Sequence, residues 1–449
     1  MMADDMGFSD IGCYGSEIPT PNLDRLAANG VRLTQYYNTS RCCPSRASLL
    51  TGLYPHQAGA GAMNNVDSGP GYRGQLLAET PTIAEMLRAT GYGTAMVGKW
   101  HVTMSKTIDD GPNGSWPFQR GFDRYYGTME GAKFYFRPQW LFENDRPVTE
   151  FPEDYFYTNA ISERAASFIR EQPREKPLFL YVAFYAPHFP LQAPTEETAK
   201  FRGRYLAGWD QLRQARYERQ LASAVIPKNA GLSRRTEDVP AWETLTPEKK
   251  DEMDLRMAIY AAQVHLLDQG VGRVVEALRE TGRLGDTLIV FLSDNGATNE
   301  GGPLGAGPVE TIGTPAAELR STYGGGWANL SNTPYRLYKT NAHEGGVHAP
   351  LILHWPNRLR EKNALRHAPA HITDIAPTCL DAAGVRVRDV RDGSVPPLEG
   401  RSMLPLASGA AGPAPRALFF GRLGSRAVRH GDWKLVNHKG SDSWELYDL

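Results

Sequence analysis

The 449-residue chain is 41% hydrophobic and 22% charged, a globular balance with enough length for one large domain and a smaller one. Its net charge is −1, from 49 basic and 50 acidic residues, and no long run of one sign appears; this argues against nucleic acid as a partner and leaves room only for a local basic pocket. Four cysteines, at positions 13, 42, 43 and 379, are too few for a disulfide scaffold, and no CxxC pair or stretch of transmembrane length occurs.

Read in chain order, the sequence opens on Met1-Met2-Ala3-Asp4-Asp5, which looks like the end of a buried strand entered midway. It stops as abruptly at Trp444-Glu445-Leu446-Tyr447-Asp448-Leu449, so we expect both natural ends to lie outside it. Helices are expected at 22–28, 82–89, 160–170 and 255–279, several with a stop glycine after them at Gly30, Gly91 and Gly282. Short apolar runs at 94–97, 178–185, 287–292 and 350–354 read as strands buried on both faces. This alternation predicts an α/β domain with a large, mostly parallel mixed sheet between helical layers, over residues 1–385. Residues 195–254 are charged and poorly periodic and are expected to form a surface insertion. Residues 301–332 read as irregular and Gly-rich. Beyond 385 only short strands are expected, at 417–420, 426–429 and 433–436, which predicts a small antiparallel C-terminal subdomain over 386–449.

Polar residues collect just past the predicted strands, where open α/β sheets bind ligands: Asp4 and Asp5, Lys99 and His101, His188, then Asp294 and Asn295. The segment Cys42-Cys43-Pro44-Ser45-Arg46-Ala47-Ser48-Leu49-Leu50-Thr51-Gly52 is the most informative. Pro44 suits the first turn of a helix, so Cys42 stands at a helix N-terminus, where free N–H groups and the dipole favour negative charge. Arg46 follows one turn on, on the same face. Cys43 is expected to point elsewhere, as a small buried hydrophobe. Asp4, Asp5, Asp294 and Asn295 make an all-oxygen set, which suits a hard cation such as Ca²⁺ better than zinc.

The Cys42 segment resembles the signature of the sulfatase family, Cys-x-Pro-Ser-Arg followed by x-x-x-Leu-Thr-Gly, at every defined position. The likeness extends to Thr20-Pro21-Asn22-Leu23-Asp24, to His371–Thr378 by position, and to the closing run 426–435. It implies an alkaline-phosphatase-like fold and an arylsulfatase-like hydrolase of sulfate monoesters. It further implies that Cys42 is oxidised to Cα-formylglycine by a maturation enzyme. The same resemblance implies a Ca²⁺ site of Asp4, Asp5, Asp294, Asn295 and the converted Cys42. Lys99, His101, His188 and Lys339 would hold the sulfate and move protons, with Arg46 fixing the nucleophile. His343 and Glu344 fall in a recurrent family segment and are read as structural. Two readings stand beside this one: a phosphoester or phosphonate-ester hydrolase of the same superfamily, and a binding protein whose cysteine is never converted. Asn295, where such relatives often carry His, favours the arylsulfatase-like branch. Aryl sulfates and sulfated carbohydrates are both expected substrates, and a periplasmic or secreted location is favoured.

Overall fold

The computed structural model describes residues 1–449 except 132, 392, 394, 423 and 439. Its centre is an eleven-stranded sheet. In chain order the strands are β1 (Met2–Ala3), β2 (Val31–Tyr37), β3 (Gly93–Gly98), β4 (Arg124–Thr128), β5 (Leu141–Glu143), β6 (Arg146–Pro147), β7 (Leu178–Ala183), β8 (Ile289–Ser293), β9 (His348–His354), β10 (Ala364–Arg366) and β11 (Ala370–His371). They lie in the order β10-β2-β9-β8-β1-β7-β3-β4-β5-β6, with β11 beside β2. The central strands β8, β1, β7, β3 and β4 are parallel, while β9 runs against both β2 and β8. The four strands expected from apolar runs all belong to this one sheet.

The helices that matter below are α1 (Pro21–Ala28), α2 (Cys42–Thr51), α3 (Ile83–Arg88), α4 (Tyr157–Glu171), α5 (Thr195–Ala199), α6 (Gly208–Ala222), α7 (Pro247–Glu280), α8 (Gly324–Ser331), α9 (Glu344–Val347) and α10 (Ile375–Ala382). Alternate side chains of each strand serve opposite cores, as the pleat requires. Met96, Tyr181 and Leu351 face the core beneath α2, α3 and α10. Ala95, Val97, Val182 and Ile352 face the other, with residues of α1, α4 and α7. No described helix is long and apolar enough to cross a membrane.

Two expectations are corrected. Residues 195–254 are not a surface insertion: Phe201, Tyr205, Trp209 and Trp242 form a third core with α7 and α8. The helical period is hidden because α6 buries cations. Arg216 pairs with Asp10 at 2.8 Å and Glu17 at 2.7 Å, and Arg213 Nε donates to the Asn329 carbonyl at 3.1 Å. Within 301–332, Gly324–Ser331 is a helix buried throughout, not irregular chain. The long helix α7 also starts eight residues before its expected first turn, on Pro247, with Thr246 Oγ1 accepting from Lys249 N at 3.3 Å.

The C-terminal sheet is separate and antiparallel: β12 (Leu418–Arg422), β13 (Ser425–His430), β14 (Trp433–Asn437) and β15 (Glu445–Asp448). The fourth strand was not expected. Leu418, Phe420, Ala427 and Val436 bury one face of the sheet against Tyr37, Ala342 and Val347. That contact fixes the β12–β13 hairpin over the carboxyl edge of the large sheet.

Candidate active site

The carboxyl ends of β1, β3, β7 and β8 converge on the N-terminus of α2. Asp4 and Asp5 follow β1, Lys99 and His101 follow β3, His188 lies five residues after β7, and Asp294 and Asn295 follow β8. All are buried except His188, whose side chain is 12% exposed and so forms the open side. Lys99 can sit here because Gly98 turns the chain at φ +97°, where a Cβ would lie 1.9 Å from the Ala183 carbonyl oxygen. Non-glycine residues also hold positive φ around the site: Asp5 at 65°, Ser40 at 63°, His101 at 63°, Leu337 at 65° and Thr340 at 77°. Such conformations cost on the order of 1–3 kcal/mol each and persist only where surrounding contacts enforce them.

Three carboxylates face three cations. Lys99 Nζ lies 2.5 Å from Asp4 Oδ2, and Lys339 Nζ lies 2.6 Å from Asp5 Oδ1. Arg46 Nη2 bridges Asp294 Oδ2 at 3.0 Å and Asp4 Oδ2 at 3.5 Å, while its Nη1 donates to the Lys99 carbonyl at 2.7 Å. Asp5 N donates to Asp294 Oδ1 at 3.2 Å, and Asn295 Nδ2 donates to Asp5 Oδ1 at 2.7 Å. The four proposed metal ligands from the sheet are therefore one connected cluster. Two of their oxygens, Asp4 Oδ1 and Asn295 Oδ1, are buried without a hydrogen-bond partner. Both are acceptor-only atoms, and a hard cation is the partner such a pair lacks.

The titration of the cluster agrees. Burial alone would raise Asp4, but Lys99, then His188 and Arg46, outweigh it and hold its carboxyl well below the usual range. Asp294 is pushed up, first by burial and then by Asp4. Arg46, 3.0 Å away, opposes that rise without cancelling it. Lys99 itself is buried, yet Asp4 holds its ammonium well above the usual lysine value.

Cys42 is the first residue of α2 and is buried. Its thiol is pulled well down, chiefly by a hydrogen bond from Cys43, with Lys99, Lys339 and His101 adding against the penalty of burial. Here the expectation for Cys43 fails. Its sulfur does not leave for the packing but lies with the Cys42 sulfur and a His101 ring nitrogen, all within 4.8 Å of one another. Successive helical residues diverge by about 100°, yet at this first turn both sulfurs stay within 4.8 Å of each other. Asn64 Oδ1, 3.9 Å from Cys43 Sγ, holds the second thiol there.

His101 Nδ1 is buried without a partner, and the imidazole is drawn down by burial and then by Lys99, which favours its neutral form. His188 stacks on Tyr185 with ring centroids 5.0 Å apart and keeps Nδ1 2.5 Å from the Phe189 carbonyl oxygen. That carbonyl fixes the proton on Nδ1, so Nε2 faces Asp5 Oδ2 at 3.5 Å. Burial draws His188 down, and Asp5 opposes it.

His343 and Glu344, read as structural, lie away from the cluster. Glu344 accepts from Tyr37 Oη at 2.8 Å and Lys434 Nζ at 2.5 Å, and His343 Nε2 lies 3.0 Å from Glu445 Oε2. Sequence reasoning missed Tyr185, Arg41 and Glu300. Tyr185 has Lys99 Nζ 5.6 Å above its ring, and Arg41 Nη1 lies 3.2 Å from Glu300 Oε1 at the mouth. Arg41 was legible in principle, because it directly precedes Cys42; nothing local marks Glu300.

An all-oxygen cluster with two unpartnered buried acceptors, a cysteine at a helix N-terminus and two imidazoles together are compatible with an ester hydrolase site. Comparisons with known proteins narrow the class. Residues 1–385 match the sulfatase family. The chain is 33% identical to an uncharacterised sulfatase of Schizosaccharomyces pombe, covering 100% of this chain and 87% of that protein. It is 34% identical to an arylsulfatase of Klebsiella aerogenes, covering 86% of each. The solved structure of Ps i-CgsB in complex with k-i-k-neocarrahexaose superposes with a TM-score of 0.70 at 26% identity, over 100% of this chain and 84% of that one. The chain belongs to the sulfatase family and is a sulfuric ester hydrolase of arylsulfatase type.

Proposed function

We propose that the chain cleaves sulfate monoesters with a formylglycine made from Cys42, next to a Ca²⁺ held by Asp4, Asp5, Asp294 and Asn295. The observation that carries this reading is the pair of orphaned buried oxygens, Asp4 Oδ1 and Asn295 Oδ1, beside a cysteine at a helix N-terminus. The oxygen-only donor set fits Ca²⁺ better than Mg²⁺, which prefers to keep several waters. Bound there, the cation supplies Lewis-acid polarisation of a sulfate oxygen. The formylglycine hydrate supplies two geminal hydroxyls, one to attack sulfur and one to expel the sulfate afterwards.

The remaining work falls to side chains of this chain. Lys99 and Lys339 meet the charge that develops on the sulfate oxygens, in a hollow where water does not screen them. Arg46, held by the Lys99 carbonyl and Asp294, orients the nucleophile end of α2. His188, the partly exposed member of the cluster, keeps Nε2 free of the Phe189 carbonyl that holds Nδ1, and Nε2 is the atom suited to protonate the departing alcohol. The negative substrate offsets the burial that draws His188 down. His101, kept neutral, is suited to take a proton from the hydroxyl that expels sulfate. Arg46 and Lys99 are buried and pre-positioned, so charge stabilisation requires no reorganisation.

A sulfated carbohydrate is the proposed natural substrate, supported by the saccharide bound to Ps i-CgsB. A formylglycine-generating partner is required, because an unmodified thiol has no second hydroxyl with which to release sulfate. Mass spectrometry of the peptide containing Cys42, from protein with measured sulfatase activity, tests the reading directly. Active protein carrying an intact Cys42 thiol would end it.

A further inference from the structure

A cation near the site comes from an unexpected element, the C-terminal sheet. Arg422 ends β12, and its strand register, opposite Ser425, turns it to the same face as the buried Phe420, toward the large sheet. Ser425 Oγ accepts from Ala342 N at 3.2 Å, three residues after Lys339, which ties the hairpin tip to the site wall. The groups whose charge acts most on Arg422 include Arg41, Cys42, Cys43 and Glu300. Its Nε is buried without a hydrogen-bond partner, and among the described residues no carboxylate lies within ion-pairing distance of it. Burial and then Arg41 push it down to about 10. A guanidinium kept half out of water beside another, with no anion of its own, lacks a partner.

We infer that Arg422, with Arg41, receives a second anionic group of the substrate, so that the preferred substrates are sulfate esters bearing a carboxylate or another sulfate near the scissile one. The planar fork of an arginine matches either oxyanion by two parallel hydrogen bonds. Glu300 occupies Arg41 at 3.2 Å and so sets how much of that cation reaches the ligand. The net charge of −1 gives no general polyanion surface, so recognition of an acidic saccharide rests on a local pair such as this one. The inference deepens the sulfatase reading and rests on it.

The test compares a hexose 6-sulfate with the same sugar carrying a second sulfate, and with a disaccharide in which a uronate adjoins it. The wild-type enzyme is expected to favour one or both dianions in kcat/KM by about tenfold or more, the scale of one charge-assisted pair. Arg422→Gln is expected to erase most of that ratio, and Glu300→Gln to enlarge it by freeing Arg41. The arm that shows the ratio identifies the group, carboxylate or sulfate. Equal rates on mono- and dianions in wild type, or an equal loss on all substrates in Arg422→Gln, would overturn the inference. Calorimetric titration of the three sugars into Cys42→Ala and Cys42→Ala/Arg422→Gln reads the same ratio without turnover. If no sugar is hydrolysed, the catalytic reading fails, and a dianion preference lost with Arg422 still supports the recognition site. Equal affinities there overturn it.

Discussion

Cys42 and Cys43 share a hollow, so their chemistry must be separated by what each could do after conversion of one of them. Cys42→Ala removes the thiol that the proposed conversion to formylglycine needs and is expected to abolish turnover with the fold intact, because no large apolar volume is lost. Cys43→Ala removes one weak hydrogen bond, about 1 kcal/mol, and is expected to cost less than about tenfold in kcat. Cys42→Ser is the informative variant: a hydroxyl can accept the sulfate group but has no geminal hydroxyl to expel it. Intact-mass measurement after incubation with a sulfate ester should show one sulfate retained on the protein. Rapid multiple turnover by Cys42→Ser would contradict the two-hydroxyl requirement. The metal is open to a test that needs no activity. Added Ca²⁺ should raise the melting temperature of wild type, since a ligand bound only by the folded form stabilises it. Asn295→Ala should need roughly 10–100-fold more Ca²⁺ for the same rise. An identical Ca²⁺ response in Asn295→Ala would remove Asn295 from the set.

At the scale of elements, the strands that carry the site were readable because they are buried on both faces, and a run such as 289–293 leaves no other reading. The helix α2 was readable from chemistry, with Pro44 and Arg46 at fixed offsets from Cys42. What escaped has physical causes. Strand β2, with Arg32, Thr34 and Gln35, is polar because Arg32 donates to the Cys13 carbonyl at 2.6 Å and Asn363 Oδ1 at 2.8 Å, contacts no local pattern announces. The buried ion pairs of α6 disguise a core helix as surface. Arg422 stands 380 residues from Cys42 and is brought toward it only by a sheet whose docking no motif encodes. The tight end of β3 yields a prediction of its own. A methyl at Gly98 would meet a backbone oxygen at 1.9 Å with φ at +97°, and Gly91 has the similar φ of +94° with nothing within 4 Å. Gly98→Ala is therefore expected to destabilise by about 3 kcal/mol or more, against about 1 kcal/mol for Gly91→Ala. Urea unfolding of the two variants checks the difference; equal costs would mean the β3–β7 approach yields.

On the scale of the whole molecule, the two sheets are held together by a buried polar lock rather than by apolar area alone. Glu344, before β9, accepts from Tyr37 Oη on β2 and from Lys434 Nζ on β14, and lies 3.0 Å from His348 Nδ1. Arg429 of β13 donates to the same Tyr37 hydroxyl. Burial alone would raise Glu344, but Lys434 and then His348 hold its carboxyl well below the usual range. Lys434 is drawn down by burial in spite of Glu344. The 2.5 Å contact supports both groups being charged at neutral pH. Because the folded pKa of Glu344 is depressed, its contribution is fully present above the unfolded value, about 4.3, and is lost as pH falls below it. Glu344→Gln leaves Lys434 buried without its counter-charge and is expected to cost about 3–5 kcal/mol at pH 7. The gap between wild type and Glu344→Gln should narrow as pH drops from about 5 toward 3, because the unfolded chain then takes up a proton at Glu344 that the folded chain refuses. Unfolding midpoints in urea across that range measure it, and a gap that stays constant would show that the lock acts through packing and not through charge. The same variant carries a functional consequence. Arg422 and Ser425 lie on β12 and β13, whereas Asp4, Asp5, Asp294 and Asn295 follow β1 and β8 and Cys42 starts α2. Glu344→Gln should therefore weaken discrimination between mono- and dianionic sulfate esters before it lowers the rate on simple aryl sulfates. Parallel loss of both would place the C-terminal sheet in support of the catalytic cluster itself.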